Sequence, residues 1–216
     1  MDITYLGHSS FKLKGKTTTV VTDPYDEKCG KFPKDIEAEI VTVSHDHGDH
    51  NRADLVKSSE FVVKGPGEYE IKGVSVVGIP TWHDDKSGAE RGPNTVYVIE
   101  MDGLRIAHLG DVGHKLAQEQ LEEMGAVDVL LVPVGGKFTL DARIAAEVVR
   151  QVDPWVVIPM HYQQEGLDKK LFEGLAGVED FLKEMGATAA APIAKLSISR
   201  DRLPQEMQVV VLERKE

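Results

Sequence analysis

The chain is poor in the residues that staple, anchor or coat. It has one cysteine, Cys29, in 216 residues, which excludes an internal disulfide and a thiolate metal cluster. That lone thiol is expected to be an inert loop residue. No run approaches the roughly 18 consecutive apolar residues that a membrane span needs. The opening Met1-Asp2-Ile3-Thr4-Tyr5 has neither the basic start nor the apolar stretch of a secretory signal, and a soluble, cytoplasmic protein is expected. Positive charge is scarce as well: 25 Lys and Arg face 36 Asp and Glu, for a formal net charge of −11. The densest basic stretch, Lys12-Leu13-Lys14-Gly15-Lys16, is short. Binding to nucleic acid draws its affinity from many cation–phosphate contacts, so no nucleic-acid partner is expected. No amphipathic basic anchor for a membrane is visible either. No repeat or low-complexity linker divides the sequence, and 41% hydrophobic content suits a single domain over residues 1–216 with a sizeable core.

Histidine and aspartate are concentrated instead. His45-Asp46-His47-Gly48-Asp49-His50 gathers three imidazoles and two carboxylates directly after the apolar run 40–43. Neutral imidazole and carboxylate are the ligands that borderline metals such as zinc prefer. His83 follows the apolar run 74–79, Asp111 follows 104–109, and His161 follows 155–158. Taken alone, His83 beside Trp82 reads as a surface histidine, Asp111 after Gly110 as a turn residue, and His161 as a hydrogen-bonded strand end. Together they recur where strand-like runs stop, and strand ends on one edge of a layered sheet converge. His45, His47, Asp49, His50, His83, Asp111 and His161 supply seven donors, enough for a pair of cations with bridging groups.

The pattern of apolar residues predicts strands over 3–6, 11–14, 17–22, 40–43, 61–63, 69–71, 74–79, 95–101 and 104–109. Lys72-Gly73 and Asp102-Gly103 read as two-residue hairpin turns. The second half alternates helix and strand. Ala117, Leu121 and Met124 share a helical face that Gly125 can stop. Leu140, Ile144 and Val148 mark a second helix, with Thr139 as N-cap and Asp141 in its first turn. Val178, Leu182 and Met185 mark a third. Strands are expected at 129–132 and 155–158, with closing strands at 195–199 and 208–212. The polar loop 81–93 is a candidate lid or cleft wall.

The series His-x-His-x-Asp-His, His, Gly-Asp, His resembles the metallo-β-lactamase-fold superfamily from Ile3 to about Leu212. Leu6-Gly7-His8-Ser9-Ser10-Phe11, Pro133-Val134-Gly135-Gly136-Lys137-Phe138-Thr139 and Ile158-Pro159-Met160-His161-Tyr162 resemble the branch that holds ascorbate-6-phosphate lactonase and N-acyl phosphatidylethanolamine phospholipase D. The resemblance implies an α/β (α+β) fold, a four-layer αββα sandwich of two mixed sheets with helices outside. It implies two divalent metal ions, zinc first and manganese or iron as substitutes. His45, His47 and His83 would hold one ion and Asp49, His50 and His161 the other, with Asp111 bridging. Asp49 would also act as the catalytic base. The implied activity is hydrolysis of a small anionic lactone or phosphodiester by water activated at the metal pair. A non-enzymatic metal- or ligand-binding regulatory module and an iron-dependent redox enzyme are the alternatives. His47 speaks against the latter, since oxygen reductases of this fold place a Glu there.

The remaining polar residues divide. His8, at a strand end, is a candidate substrate-side group or a plain turn residue. Asp23, before Pro24, is a turn starter or, by the resemblance, a support for a ligand loop. Tyr162 and Asn94 are candidates to orient substrate. His108, inside a strand, is expected to be a hydrogen-bonded core residue, and His114 a cap or surface group at a helix start. Gly135-Gly136 is either a backbone anion cradle or a tight strand-to-helix turn.

Overall fold

A computed structural model describes residues 1–215. Two mixed sheets face each other. The first has six strands in the order β12-β1-β2-β3-β4-β5. Its members are β1 (Asp2–Gly7), β2 (Ser10–Lys14), β3 (Thr19–Thr22), β4 (Ile40–Val43), β5 (Phe61–Lys64) and β12 (Leu196–Ser197). The second has seven, in the order β13-β11-β10-β9-β8-β7-β6. These are β6 (Gly67–Ile71), β7 (Val74–Trp82), β8 (Pro93–Met101), β9 (Leu104–His108), β10 (Val129–Pro133), β11 (Val156–Met160) and β13 (Gln208–Val209). Lys72 and Gly73, like Asp102 and Gly103, carry positive φ at their hairpins, as two-residue turns joining right-twisted strands require.

Strand direction decides where function can sit. β1 and β3 are both antiparallel to β2, and β4 is parallel to β3. β7 and β9 are both antiparallel to β8, and β10 and β11 run parallel to β9. Within each sheet the strands that precede His8, Asp23, His45, His83, Asp111 and His161 therefore run the same way, and the site described below joins their C-terminal ends at one edge. Such an edge is where layered sheets bind ligands.

Apolar residues fill the space between the sheets. Tyr5, Phe11, Val20 and Ile40 belong to the same buried cluster as Val76, Ile99, Ile106 and Leu131. Each large side chain fully buried in this way contributes about 1.5–3 kcal/mol. Tyr97 and His108 reach across the interface with their hydrogen bonds made. Tyr97 Oη donates to the Val43 carbonyl at 3.0 Å, fixing the end of β4. His108 Nε2 donates to the Ser9 carbonyl at 2.7 Å while its Nδ1 accepts from Gly110 N–H, the satisfied core histidine that the sequence suggests.

Helices α1 (Gln118–Met124) and α2 (Ala142–Val152) lie against the seven-stranded sheet, and α3 (Val178–Glu184) packs on α2. The N-cap of α2 is Asp141, whose carboxylate accepts the Ile144 N–H at 2.8 Å, not Thr139. Gly136 N–H bonds to the Leu140 carbonyl, and this closed turn delays the helix start. The outer face of the six-stranded sheet carries its own buried apolar layer. Leu6, Val21, Val41 and Val43 pack under Tyr25, Phe32, Ile36, Leu167, Phe172 and Leu175, which come from irregular chain. Pro24, Gly30 and Pro33 break any helical run there.

Candidate metal centre and active site

The parallel pairing of β3 and β4, with Thr22 opposite Thr42, carries Asp23 alongside Ser44 one step beyond both strands. Asp23 is fully buried. Its Oδ1 accepts Ser44 N–H at 2.8 Å, and its Oδ2 accepts Ser44 Oγ–H at 2.5 Å and His50 Nδ1–H at 2.8 Å. A serine hydroxyl has one proton, and here Asp23 receives it. The 2.9 Å contact between Ser44 Oγ and His45 Nδ1 must then have the histidine as donor. Asp23 thus engages the Nδ1–H of His50 directly and that of His45 through Ser44, so that Nε2 is the nitrogen each ring presents to the centre. Gly110, at φ +55°, lies where a Cβ would stand 2.7 Å from Ser44 Cβ, so the Asp111 turn can close against this relay only with glycine.

Asp111 is the centre of the arrangement. Its Oδ2 lies 3.1 Å from His161 Nε2, 3.2 Å from both His50 Nε2 and His83 Nε2, and 4.0 Å from His45 Nε2. Donors held about 2.0–2.1 Å from a tetrahedral zinc stand roughly 3.4 Å apart, so these separations are those of ligands sharing ions. His45, His47 and His83 form one donor group, and His8, Asp49, His50 and His161 another; His45, His50 and Asp111 form a third that joins them. The buried Nε2 atoms of His45, His50 and His161 and Oδ1 of Asp111 have no hydrogen-bond partner among the described residues. Orphaned polar atoms at this density are costly unless a cation satisfies them. The donor set therefore fits divalent metal.

Electrostatics agree. Burial pushes the Asp111 carboxyl up, but His161 and His50 outweigh it and hold it well below the usual range. Asp49 behaves in the same way: burial is opposed by His50 and His8, and its carboxyl is held far down. Burial lowers His50, yet Asp111, Asp49 and Asp23 raise it well above the ordinary imidazole value. Burial and His50 push His45 down to about 3, so His45 is neutral and ligand-ready at pH 7.

The seven donors expected from the sequence converge, and the groups marked as substrate or supporting residues land as follows. His8 does not line the cleft. It is fully buried, with Nε2 3.2 Å from Asp49 Oδ2, and burial followed by His161 lowers it to about 4. His8 and His161 both adopt left-handed backbone, φ 54° and 52°, which costs roughly 1–2 kcal/mol for each residue. His161 N–H donates to the His8 carbonyl at 2.9 Å, so the two strained turns lock the ends of β1 and β11 together. Tyr162 also stays away from the cleft; it is buried, with its ring stacked on Tyr5 at 6.3 Å. Asn94 is a brace: Nδ2 donates to Thr81 Oγ1 and the Leu109 carbonyl, and Oδ1 accepts Asp111 N–H at 2.9 Å. His114 precedes α1 in a loop, where Nε2 accepts Trp82 N–H at 3.1 Å beside His83. A Cβ on Gly135 would stand 3.0 Å from Tyr162 Cα, and Gly136 N–H is committed to its own turn. That pair therefore forms a tight packing turn.

Above these donors lies a cleft of about 390 Å³, with His47, Asp49, His83 and Asp111 on its floor. Its walls include Cys29, Phe138, Leu171 and Phe172, together with the charged residues Asp26, Lys28 and Arg91. Burial and Asp49 push the Cys29 thiol up to about 12, which makes it inert at neutral pH. Arg91 reaches the cleft from the 81–93 loop that the sequence marks as a candidate lid or cleft wall, whereas Lys28 and Phe138 carry no signal of their own as rim residues.

Residues 2–161 match the model of the beta-lactamase superfamily domain. The structure superposes with a TM-score of 0.80 on a candidate Zn-dependent hydrolase of the metallo-beta-lactamase superfamily from Thermotoga maritima, 38% identical, with 99% of each chain covered. A UPF0173 metal-dependent hydrolase from Korarchaeum cryptofilum is 33% identical over 209 residues, covering 84% of this chain and 89% of that one. Another from Thermococcus onnurineus is 31% identical over 188 residues, covering 74% and 84%. The chain belongs to the metallo-beta-lactamase superfamily, among its metal-dependent hydrolases.

Proposed function

We propose that the protein hydrolyses a small anionic lactone or phosphodiester at a dinuclear centre, with zinc as the first choice of metal. The observation that carries the reading is the position of Asp111 Oδ2, within 3.2 Å of imidazoles from both donor groups. His45, His47 and His83 would hold one ion, and Asp49, His50 and His161 the second, with Asp111 shared. Divalent ions held there acidify water from a pKa of about 15.7 to near 7 and polarise the substrate oxygen.

The chain's own residues do the rest. Asp23 and Ser44 keep His45 and His50 in the tautomers that present Nε2. His8 Nε2 donates to Asp49 Oδ2 and fixes the face that this carboxylate turns to the cleft. Asp49 is partly exposed on the cleft floor, where its carboxylate would accept the proton of the attacking water as the new bond to carbon or phosphorus forms. His47, the exposed member of the set, leaves its side of the centre open to substrate. The lactone and phosphodiester options follow the branch that Leu6–Phe11 and Ile158–Tyr162 resemble. A panel of sugar lactones, acyl-homoserine lactones and bis-aryl phosphodiesters, assayed with and without chelator, tests the reading. Chelator-sensitive turnover of one class is expected, and turnover that survives complete metal removal would contradict it.

A further inference from the structure

The charged groups around the cleft are unequally committed. Asp26 accepts Arg52 Nη1–H at 2.8 Å and the Lys28 N–H at 2.8 Å. Asp49 and Asp111 face the donor cluster. Asp84, just behind His83, is buried and accepts four backbone N–H groups: Lys86 and Gly88 at 2.8 Å on Oδ1, Glu90 at 3.0 Å and Arg91 at 2.8 Å on Oδ2. The carboxylates that line the cleft, Asp26, Asp49 and Asp111, are thus engaged elsewhere. The cations are not: among the described residues neither Lys28 nor Arg91 pairs with a carboxylate.

Arg91 is also the better placed of the two. Its backbone is pinned by Asp84, and the 83–92 loop is closed again where His83 N–H bonds to the Gly92 carbonyl at 3.1 Å. Its guanidinium lies 5.1 Å from the centre of the Phe138 ring, and Nη2 donates to the Lys137 carbonyl at 3.3 Å. Most of its five N–H donors remain unused, on a planar fork suited to carboxylate or phosphate. A flexible surface arginine would lose side-chain entropy on binding an anion; one held by a loop clamp and an aromatic face has already lost much of it. Beside it, Phe138, Leu171 and Phe172 offer an apolar wall.

We propose that Arg91 is the specificity-determining residue of this cleft. It would bind an anionic group of the substrate separate from the one that reacts, while Phe138, Leu171 and Phe172 hold an apolar body between the two. The substrate class is then an amphipathic molecule with a hydrolysable centre at one end and a carboxylate or phosphate at the other. This rests on the cleft being the substrate cleft of the metal-dependent hydrolase proposed above.

The test uses metal-loaded protein and two ligands that differ by one carboxylate, 3-phenylglutarate and 3-phenylbutanoate, titrated calorimetrically. One carboxylate can reach the metal centre in both; only the first has a second for Arg91. Wild type is expected to prefer the dianion by about tenfold or more. Arg91→Gln should bring the two within about twofold while retaining full bound metal, and Arg91→Lys should recover part of the preference. The proposal is overturned if wild type shows no preference, if Arg91→Gln keeps it, or if the variant weakens both ligands equally or loses metal. Binding is read without turnover, so a blank substrate panel with the Arg91-dependent preference intact sinks the hydrolytic reading alone.

Discussion

The floor of the cleft and its rim are built by different rules. On the floor, the side chains of the His/Asp cluster sit at strand ends, are largely buried, and are over-determined by neighbours: Asp23 and Ser44 orient His45 and His50, Asn94 and Gly110 shape the Asp111 turn, and His8 and His161 lock each other through the backbone. On the rim, Lys28, Arg91, Phe138 and Leu171 come from loops and are half-buried or exposed. A sheet edge fixes donor positions to fractions of an ångström, as metal coordination requires. Loops tolerate exchange, and exchange is how one chemistry is fitted to many substrates. Change on the floor should therefore abolish function, and change on the rim should redirect it.

The sharpest break in that contrast comes from His47→Ala and Asp111→Ala. Each should lose metal and turnover together, by about 10³-fold or more in kcat/KM, measured by elemental analysis and rate on the same sample. Retained activity in either would place the chemistry elsewhere. Next in size is Asp23→Asn, one bond away from the donors. The amide has one accepting oxygen where the carboxylate has two, so Ser44 N–H, Ser44 Oγ–H and His50 Nδ1–H cannot all be accepted, and metal affinity should fall about 10–100-fold, read by competition with a chelating dye. Ser44→Ala, which releases only the His45 side, should fall at the lower end of that range.

A pH experiment separates floor from rim more gently. In the metal-free fold His50 is raised well above 6.5 by Asp111, Asp49 and Asp23 despite its burial. Its ion pairs thus contribute stability that is fully present below 6.5 and is lost as pH rises through the folded value. Metal must displace the Nε2 proton, so binding at pH 7 should release about one proton per chain from His50, and metal affinity should climb from pH 6 to 8. Calorimetry in buffers of different ionisation enthalpy reads both; a flat profile with no release contradicts the assignment. The smallest effect concerns Cys29. With its thiol at about 12, alkylation of the folded protein by iodoacetamide at pH 8 should run at least about tenfold slower than in denaturant.

The same floor-and-rim division explains what the sequence made legible. The donors could be read because His and Asp recur directly after apolar runs, and strand ends converge wherever the sheets are placed. The strands follow from those runs and two hairpins from the turns at Lys72-Gly73 and Asp102-Gly103, while their grouping into two sheets came from the resemblance. Four kinds of feature stayed hidden. Ser44 acts through a relay that depends on β3 and β4 pairing in parallel, and pairing is not written in either strand. His8, Asn94 and Tyr162 are polar residues near motif segments, and only burial distinguishes a brace beneath the floor from a contact above it. Asp84 and Arg91 belong to a loop whose conformation is set by one carboxylate accepting four N–H groups, a pattern with no periodicity to detect. Thr139 and Asp141 are both competent N-caps, and a tertiary turn chose between them.

The most direct measurement is the metal content of protein purified without added metal, determined by elemental analysis against protein concentration. The account predicts about two divalent ions per chain, lost on chelation and regained on adding zinc. Protein that is folded, carries no stoichiometric metal and takes none up from solution would contradict it.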